Sequence, residues 1–263
     1  MRLPAGARTE ASSTTRPDVF DHVTIRVSDV DASRRFYELA METLDFGEPY
    51  IGGHFSEWND FSISQASDDK PLTRNLHLAL VTRSREEVDD WWRVMTGAGY
   101  EDDGPPGPRP VYRDDYYGAF VLDPDGNSVE AVYHGSPREG EEVIDHLWIR
   151  VADLAATKRF YETIAPILGI RIAGERPERF HIEAENRSAA FVHDGGPLTE
   201  NVHLAFAAPD NATVDEFHRV ALAAGFRDNG RPGERPVYHA GYYGAFVLDP
   251  DGNNVEAVSH NRS

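Results

Sequence analysis

The residues best suited to chemistry in this chain are two histidines and a glutamate, met twice: His22, His77 and Glu130, then His146, His203 and Glu256. Each of the six sits in a strand-like pattern beside aliphatic neighbours, Val23 next to His22, Leu78 next to His77, Val129 and Ala131 around Glu130. Side chains alternate across a strand, so all six should project from the face opposite the one that packs on helices. Two imidazoles and one carboxylate suit a borderline divalent cation, and three ligands on one side leave positions open for substrate. A carboxylate inside VEAV is costly to bury unless something pairs with it or binds it. There are no cysteines, which removes thiolate ligands, disulfides and a cysteine nucleophile.

The elements that must position these residues come as an internal duplication. YYGAFVLDPDGN at Tyr116–Asn127 recurs unchanged at Tyr242–Asn253, and RPVY at Arg109–Tyr112 recurs at Arg235–Tyr238. PLTRNLHLAL from Pro71 matches PLTENVHLAF from Pro197, and DHVTIRVSDVDASRRFYE from Asp21 matches DHLWIRVADLAATKRFYE from Asp145. The expected organisation is a flexible tail over 1–18, a first module over 19–134, a linker over 135–142 rich in turn formers and charge, and a second module over 143–260.

Within a module, Val23, Ile25 and Val27 alternate with polar residues as a half-buried strand. Asp31–Leu44 carries apolar residues at helical spacing behind a cap at Asp29 or Asp31. Short strands are expected at Tyr50–Gly52 and Phe61–Ser64, and another at Leu76–Val81. A helix over Arg85–Ala98 is ended by glycines, and strands at Tyr117–Leu122 and Val129–Tyr133 are joined by the turn DPDGN. The fold class is therefore α+β: tandem modules, each of two β-α-β-β-β units, forming a curved mixed sheet around a metal cavity.

At 263 residues, with 40% apolar and 11% aromatic residues, the chain has enough apolar content for globular domains. No apolar run approaches the roughly 20 residues that span a bilayer, and the N-terminus lacks the apolar stretch of a secretory signal. A formal charge of −19 argues against a nucleic-acid partner. The expectation is a cytoplasmic monomer or homodimer acting on a small molecule.

The two modules differ at positions that could touch a ligand. Trp148, two residues after His146 on the same strand face, stands where the first module has Thr24. Arg113 in VYRDDYYG is replaced by His239 in VYHAGYYG. An imidazole there could move protons near neutral pH, whereas Arg113 could only anchor an anion. Tyr117 and Tyr243 are further pocket candidates.

Taken together, DHV/DHL, the FYE helix, NLHLAL/NVHLAF and LDPDGN followed by VEAV resemble the vicinal oxygen chelate superfamily, over nearly Asp21 to His260. The superfamily includes glyoxalases, extradiol dioxygenases, thiol-transferring antibiotic-resistance enzymes and bleomycin-binding proteins. The resemblance implies that the six residues are ligands to Fe(II), Mn(II), Ni(II), Zn(II) or Co(II), which chelates vicinal oxygens of the substrate. It implies a glyoxalase-type lyase or isomerase first, an Fe(II) extradiol-type dioxygenase second, and a thiol transferase or drug-binding protein after these. Glu130, Glu256 and His239 are the expected catalytic residues. The ring-cleaving branch carries a His and a Tyr ahead of its last Glu; His239 fits the first, but Phe120 and Phe246 stand at the second. Two-module members of that branch group their ligands within a module, so His22 is expected with His77 and Glu130, and His146 with His203 and Glu256. The second module, with His239 beside the metal, is expected to be the more active.

Overall fold

A computed structural model describes residues 20–136, 140–184 and 187–261. The tail expected over 1–18 and the middle of the linker lie outside them. The first module runs β1 (His22–Val27), α1 (Val30–Thr43), β2 (Tyr50–Ile51), β3 (Phe55–Trp58), β4 (Phe61–Gln65), β5 (His77–Val81), α2 (Arg85–Gly97), β6 (Asp102–Pro108), β7 (Tyr117–Leu122) and β8 (Ser128–Tyr133). The second repeats it as β9 (Ile144–Arg150), α3 (Leu154–Leu168), β10 (Arg171–Arg176), β11 (Arg179–Ala184), β12 (Arg187–Val192), β13 (His203–Ala207), α4 (Asn211–Ala223), β14 (Arg227–Glu234), β15 (Tyr243–Leu248) and β16 (Asn254–Ser259). The α+β, β-α-β-β-β plan is the one expected.

Local chemistry accounts for most boundaries. Asp29 caps α1, its side chain accepting from the backbone N–H of Asp31 and Ala32, and Asp153 does the same for α3. The sequence reading placed no strand at β3 or β6, the latter because DDGPPGP looks like a loop. It is a strand because it lies at the sheet edge, where a proline's missing N–H costs no ladder bond.

The strands form two eight-stranded sheets, ordered β14-β15-β16-β13-β1-β4-β3-β2 and β10-β11-β12-β9-β5-β8-β7-β6. Each sheet joins half of one module to half of the other, through antiparallel β1·β13 in the first and β5·β9 in the second. The helices keep their module: α1 packs on α2, and α3 on α4. Aliphatic residues such as Val23, Ile25, Leu78, Leu147 and Leu204 face the helices in one continuous core.

The two segments that carry the chain between sheets clasp one another, which explains the repeated PLT-x-N motif. Arg74 and Glu200 exchange backbone hydrogen bonds of 3.0 and 3.1 Å. The Thr73 hydroxyl donates to the Asn201 carbonyl and the Thr199 hydroxyl to the Asn75 carbonyl, both at 2.9 Å. Each threonine oxygen also accepts from the partner sheet's strand, Thr73 from the Arg26 N–H and Thr199 from the Arg150 N–H. Asn75 and Asn201 turn the chain with φ of 55° and 60°, and their amides bond the Leu198 and Leu72 carbonyls. Replacing both threonines with valine keeps the shape but leaves buried groups unsatisfied, each at about 1–3 kcal/mol. Urea unfolding of the Thr73→Val/Thr199→Val protein should therefore show a loss of at least about 2 kcal/mol; a change within about 0.5 kcal/mol would refute the clasp.

Candidate metal centres

The exchange of strands decides which residues meet. His22, His203 and Glu256 bring their ligand atoms within 4.8 Å of one another, and so do His77, Glu130 and His146. This corrects the within-module grouping: β1 lies against β13 rather than β5, so the first histidine of each module joins the second histidine and the glutamate of the other. In the first centre His203 Nε2 lies 2.9 Å and His22 Nε2 3.8 Å from Glu256 Oε2. In the second His77 Nε2 lies 3.0 Å and His146 Nε2 3.6 Å from Glu130 Oε2.

Register explains the convergence. Across three strands His22 is opposite Ala205, which is opposite Glu256; His146, Ala79 and Glu130 repeat the line. The alanine in the middle position is small enough to let histidine and glutamate meet above it. Asn127 adds a fixing point, its side-chain carbonyl accepting from the N–H of Leu76, the residue before His77, and Asn253 does the same for Val202.

Both carboxylates are fully buried. Besides the histidine, each is held by a tyrosine hydroxyl: Tyr116 donates to Glu130 Oε1 at 2.7 Å and Tyr242 to Glu256 Oε1 at 2.7 Å. Burial, then the glutamate's charge, raises both tyrosines far above their ordinary value, so they remain donors. Tyr116 and Tyr242 were missed from sequence, where Tyr117 and Tyr243 were singled out. The structure turns those two to the helix side, bonded to Asp89 and Asp215, because they alternate with Gly118 and Gly244 on the site face. A Cβ on Gly118 would lie 2.2 Å from Glu130 Oε1, and one on Gly244 2.5 Å from Glu256 Oε1. The invariant YYG of the two repeats is thus a seat for a carboxylate.

Behind each first histidine stands an aspartate. His22 Nδ1 donates to Asp21 at 2.8 Å and His146 Nδ1 to Asp145 at 2.7 Å, leaving Nε2 aimed at the centre. Burial opposes charge on His22 and His146, but the aspartate bond and the nearby carboxylates outweigh it and raise both. Burial likewise would raise Asp21 and Asp145, yet their histidine partners hold them well below the carboxylate range. His203 is lowered, burial prevailing over the pull of Glu256.

The second layer is where the centres differ. His260 donates from Nε2 to Asp21 at 2.8 Å, and its Nδ1 faces His239 Nε2 at 2.8 Å, while His239 Nδ1 donates to the Ala240 carbonyl. Both ring nitrogens of each imidazole are thus engaged, and the pair ties Asp21 to the Ala240 carbonyl. His239 therefore stands three links behind His22, through His260 and Asp21, correcting its expected place beside the metal, and with it the reason for ranking the second module as more active. At the other centre His134 bonds Asp145 at 2.9 Å, and its Nδ1 is buried without a partner. Arg113, in the place of His239, is taken by Asp115 in two bonds of 3.0 and 2.9 Å.

A cavity of about 890 Å³ opens at the centre of His77, Glu130 and His146, lined also by Trp148, Phe120, Arg179 and His181. Trp148 lies across from His77 on the neighbouring strand. Phe120, opposite Glu130, packs on the His77 ring at 5.8 Å.

Filling the carboxylate seat should strain the site. Gly244→Ala is expected to lower stability by about 1–3 kcal/mol, as overpacking does. Gly97→Ala, on a helix position with open space around its Cβ, is expected to raise it by about 0.5–1 kcal/mol. Thermal unfolding of both variants checks the contrast.

The glyoxalase/bleomycin resistance protein/dioxygenase superfamily model matches residues 19–131 and 143–257. Among curated proteins no sequence matches the chain. Glyoxalase I from Zea mays shares the fold, with 17% identity, a TM-score of 0.64 and 92% of each chain covered. A point mutant of the same maize enzyme has 19% identity, a TM-score of 0.66 and 92% of each chain covered. A candidate dioxygenase from Bacillus subtilis subsp. subtilis str. 168 has 10% identity and a TM-score of 0.63, with 95% of this chain and 87% of that one covered. At these identities the likeness is one of fold, while the paired match to the family model covers most of the sequence: the chain belongs to the glyoxalase/bleomycin resistance protein/dioxygenase superfamily.

Proposed function

We propose that the chain is a divalent-metal-dependent lyase or isomerase acting on a small molecule with neighbouring oxygens. The observation that carries the reading is the pair of His₂Glu groups, each with a fully buried carboxylate whose described partners are a histidine and a tyrosine. That donor set fits Fe(II), Mn(II), Co(II), Ni(II) or Zn(II). Bound there, the ion would supply charge stabilisation for a developing oxyanion.

The chain's own residues do the rest. Asp21 and Asp145 fix the tautomer and angle of His22 and His146. Tyr116 and Tyr242 hold the glutamates in place without competing for protons. In the cavity of the second centre, His181 lines the wall with its Nε2 buried and unpartnered. Its pKa is lowered, by burial first and then by Arg179, so the ring is neutral near pH 7 and is the group this reading assigns as proton acceptor. His181→Ala should then cut turnover by about 10²–10⁴-fold with metal content unchanged. Turnover within about threefold of the parent would remove His181 from the reaction.

A second reading, an Fe(II) dioxygenase, is favoured by the same donor set, because two histidines and a carboxylate on one face are the set used by non-haem iron oxygenases. Oxygen uptake with catechols, set beside a hemithioacetal isomerisation assay, separates the two.

Elemental analysis after reconstitution should find up to two ions per chain, and no ion under any condition would sink both readings. His146→Ala should empty the centre of His77 and Glu130 and leave that of His203 and Glu256 filled, as anomalous diffraction would show. The pH dependence has a definite sign. Since His22 and His146 are raised, each keeps its proton to a higher pH than a free imidazole, and the proton competes with the ion. Affinity should fall about tenfold per pH unit as pH drops below the raised values and level off above them. Isothermal titration with Zn(II) between pH 5.5 and 8.5 checks the slope.

A further inference from the structure

The two centres differ along one wall, position by position. Trp148 pairs with Ala190, and Ala190 with His181. In the other sheet Thr24 pairs with Ser62, and Ser62 with Glu57. Arg179, two residues before His181 on the same strand face, corresponds to Phe55. One wall therefore reads Trp, Ala, His, Arg where the other reads Thr, Ser, Glu, Phe. The Thr24 and Ser62 hydroxyls close on each other at 2.7 Å, whereas Ala190 leaves the Trp148 side open.

The guanidinium of Arg179 is the group without an employment. Its carbon sits over the Trp148 ring, 5.6 Å from the ring centre. Its Nε is buried with no hydrogen-bond partner, and among the described residues no carboxylate pairs with the guanidinium. The other cavity arginines are engaged: Arg150 by Asp194, Arg113 by Asp115, Arg109 by the Pro105 carbonyl. The acids of the same cavity are engaged elsewhere, Asp103 by the Ser128 hydroxyl, Asp145 by His134 and His146, Asp194 by Arg150 and Glu130 by His77 and Tyr116, so among the described residues the Arg179 guanidinium is open to an external anion. The same cavity lining carries three aromatic rings, Trp148, Phe120 and Tyr112.

We propose that the cavity beside His77, Glu130 and His146 selects an aromatic anion, its carboxylate or enolate oxygens received by Arg179 and its ring lying among Trp148, Phe120 and Tyr112. This deepens the metal-dependent reading and rests on it for the ligand's orientation toward the histidines, but the selectivity for charge and planarity comes from Arg179 and Trp148. The wall of Thr24, Ser62, Glu57 and Phe55 has neither group, so one such ligand binds per chain.

The test is calorimetric titration of salicylate, of its neutral isostere salicylamide and of lactate, into metal-free and Zn(II)-loaded protein. Salicylate should bind at one site per chain at least tenfold more tightly than salicylamide or lactate. Arg179→Gln should collapse the salicylate-to-salicylamide ratio to about one with metal content unchanged, Arg179→Lys should restore part of it, and Trp148→Thr should erase the preference for salicylate over lactate. A ratio near one in the parent protein, or an Arg179→Gln protein that keeps the parent's ratio, would overturn the proposal. If the parent binds no metal yet shows the Arg179-dependent ratio, the metal-dependent reading fails and this inference stands. If metal binds at both centres and the ratio is absent, the reverse holds.

Discussion

A carboxylate with no exposed surface governs the design of both centres. Taking an ionised glutamate out of water costs several kcal/mol unless charge or hydrogen bonds replace the lost solvent. Glu130 and Glu256 meet that demand with a tyrosine hydroxyl on one oxygen, an imidazole on the other, and a glycine beneath that allows the side chain to lie against the neighbouring strand. Once these contacts are fixed, Tyr116, Gly118, Ala79 and His77 have little freedom, and neither do their counterparts Tyr242, Gly244, Ala205 and His203. The identity of YYGAF between the two repeats follows from that geometry.

The second constraint is the exchange of halves. Each centre is completed only when β1 pairs with β13 or β5 with β9, so neither module holds a full ligand set by itself. The crossing segments that make the exchange possible are tied by reciprocal bonds between Thr73, Asn75, Thr199 and Asn201. Stability of the sheet junction and integrity of the centres are therefore the same physical matter. A perturbation of the clasp acts on both centres through the strands that start immediately after it, His77 and His203 being the first residues of β5 and β13.

Around this shared frame the two centres have diverged in their surroundings. One has an imidazole pair, His239 and His260, behind Asp21; the other has His134 behind Asp145 and a cavity walled by Trp148, Arg179 and His181. The ligands are the same in kind, but the fields and surfaces around them are not. Duplication has thus kept the donor set and altered what reaches it.

The sequence by itself determined most of the elements, the repeat and the identity of the six candidate ligands. Strand periodicity placed His22, His77 and Glu130 on one face, and the Asp29 cap and the DPDGN turn are read from neighbouring residues. Alternation within β7 also held the information that Tyr117 points away from Glu130, although Tyr116, one residue before the strand, carries no such signal. What only the tertiary structure decided is who meets whom. Pairing of β1 with β5 or with β13 satisfies the same backbone groups and buries equally aliphatic faces, so local pattern cannot choose between them. The choice rests on contacts between residues more than 120 positions apart, such as Thr73 with Asn201 and Asn75 with Leu198. The same holds for His239, whose partner His260 lies 21 residues away and whose link to His22 passes through Asp21 at the other end of the chain.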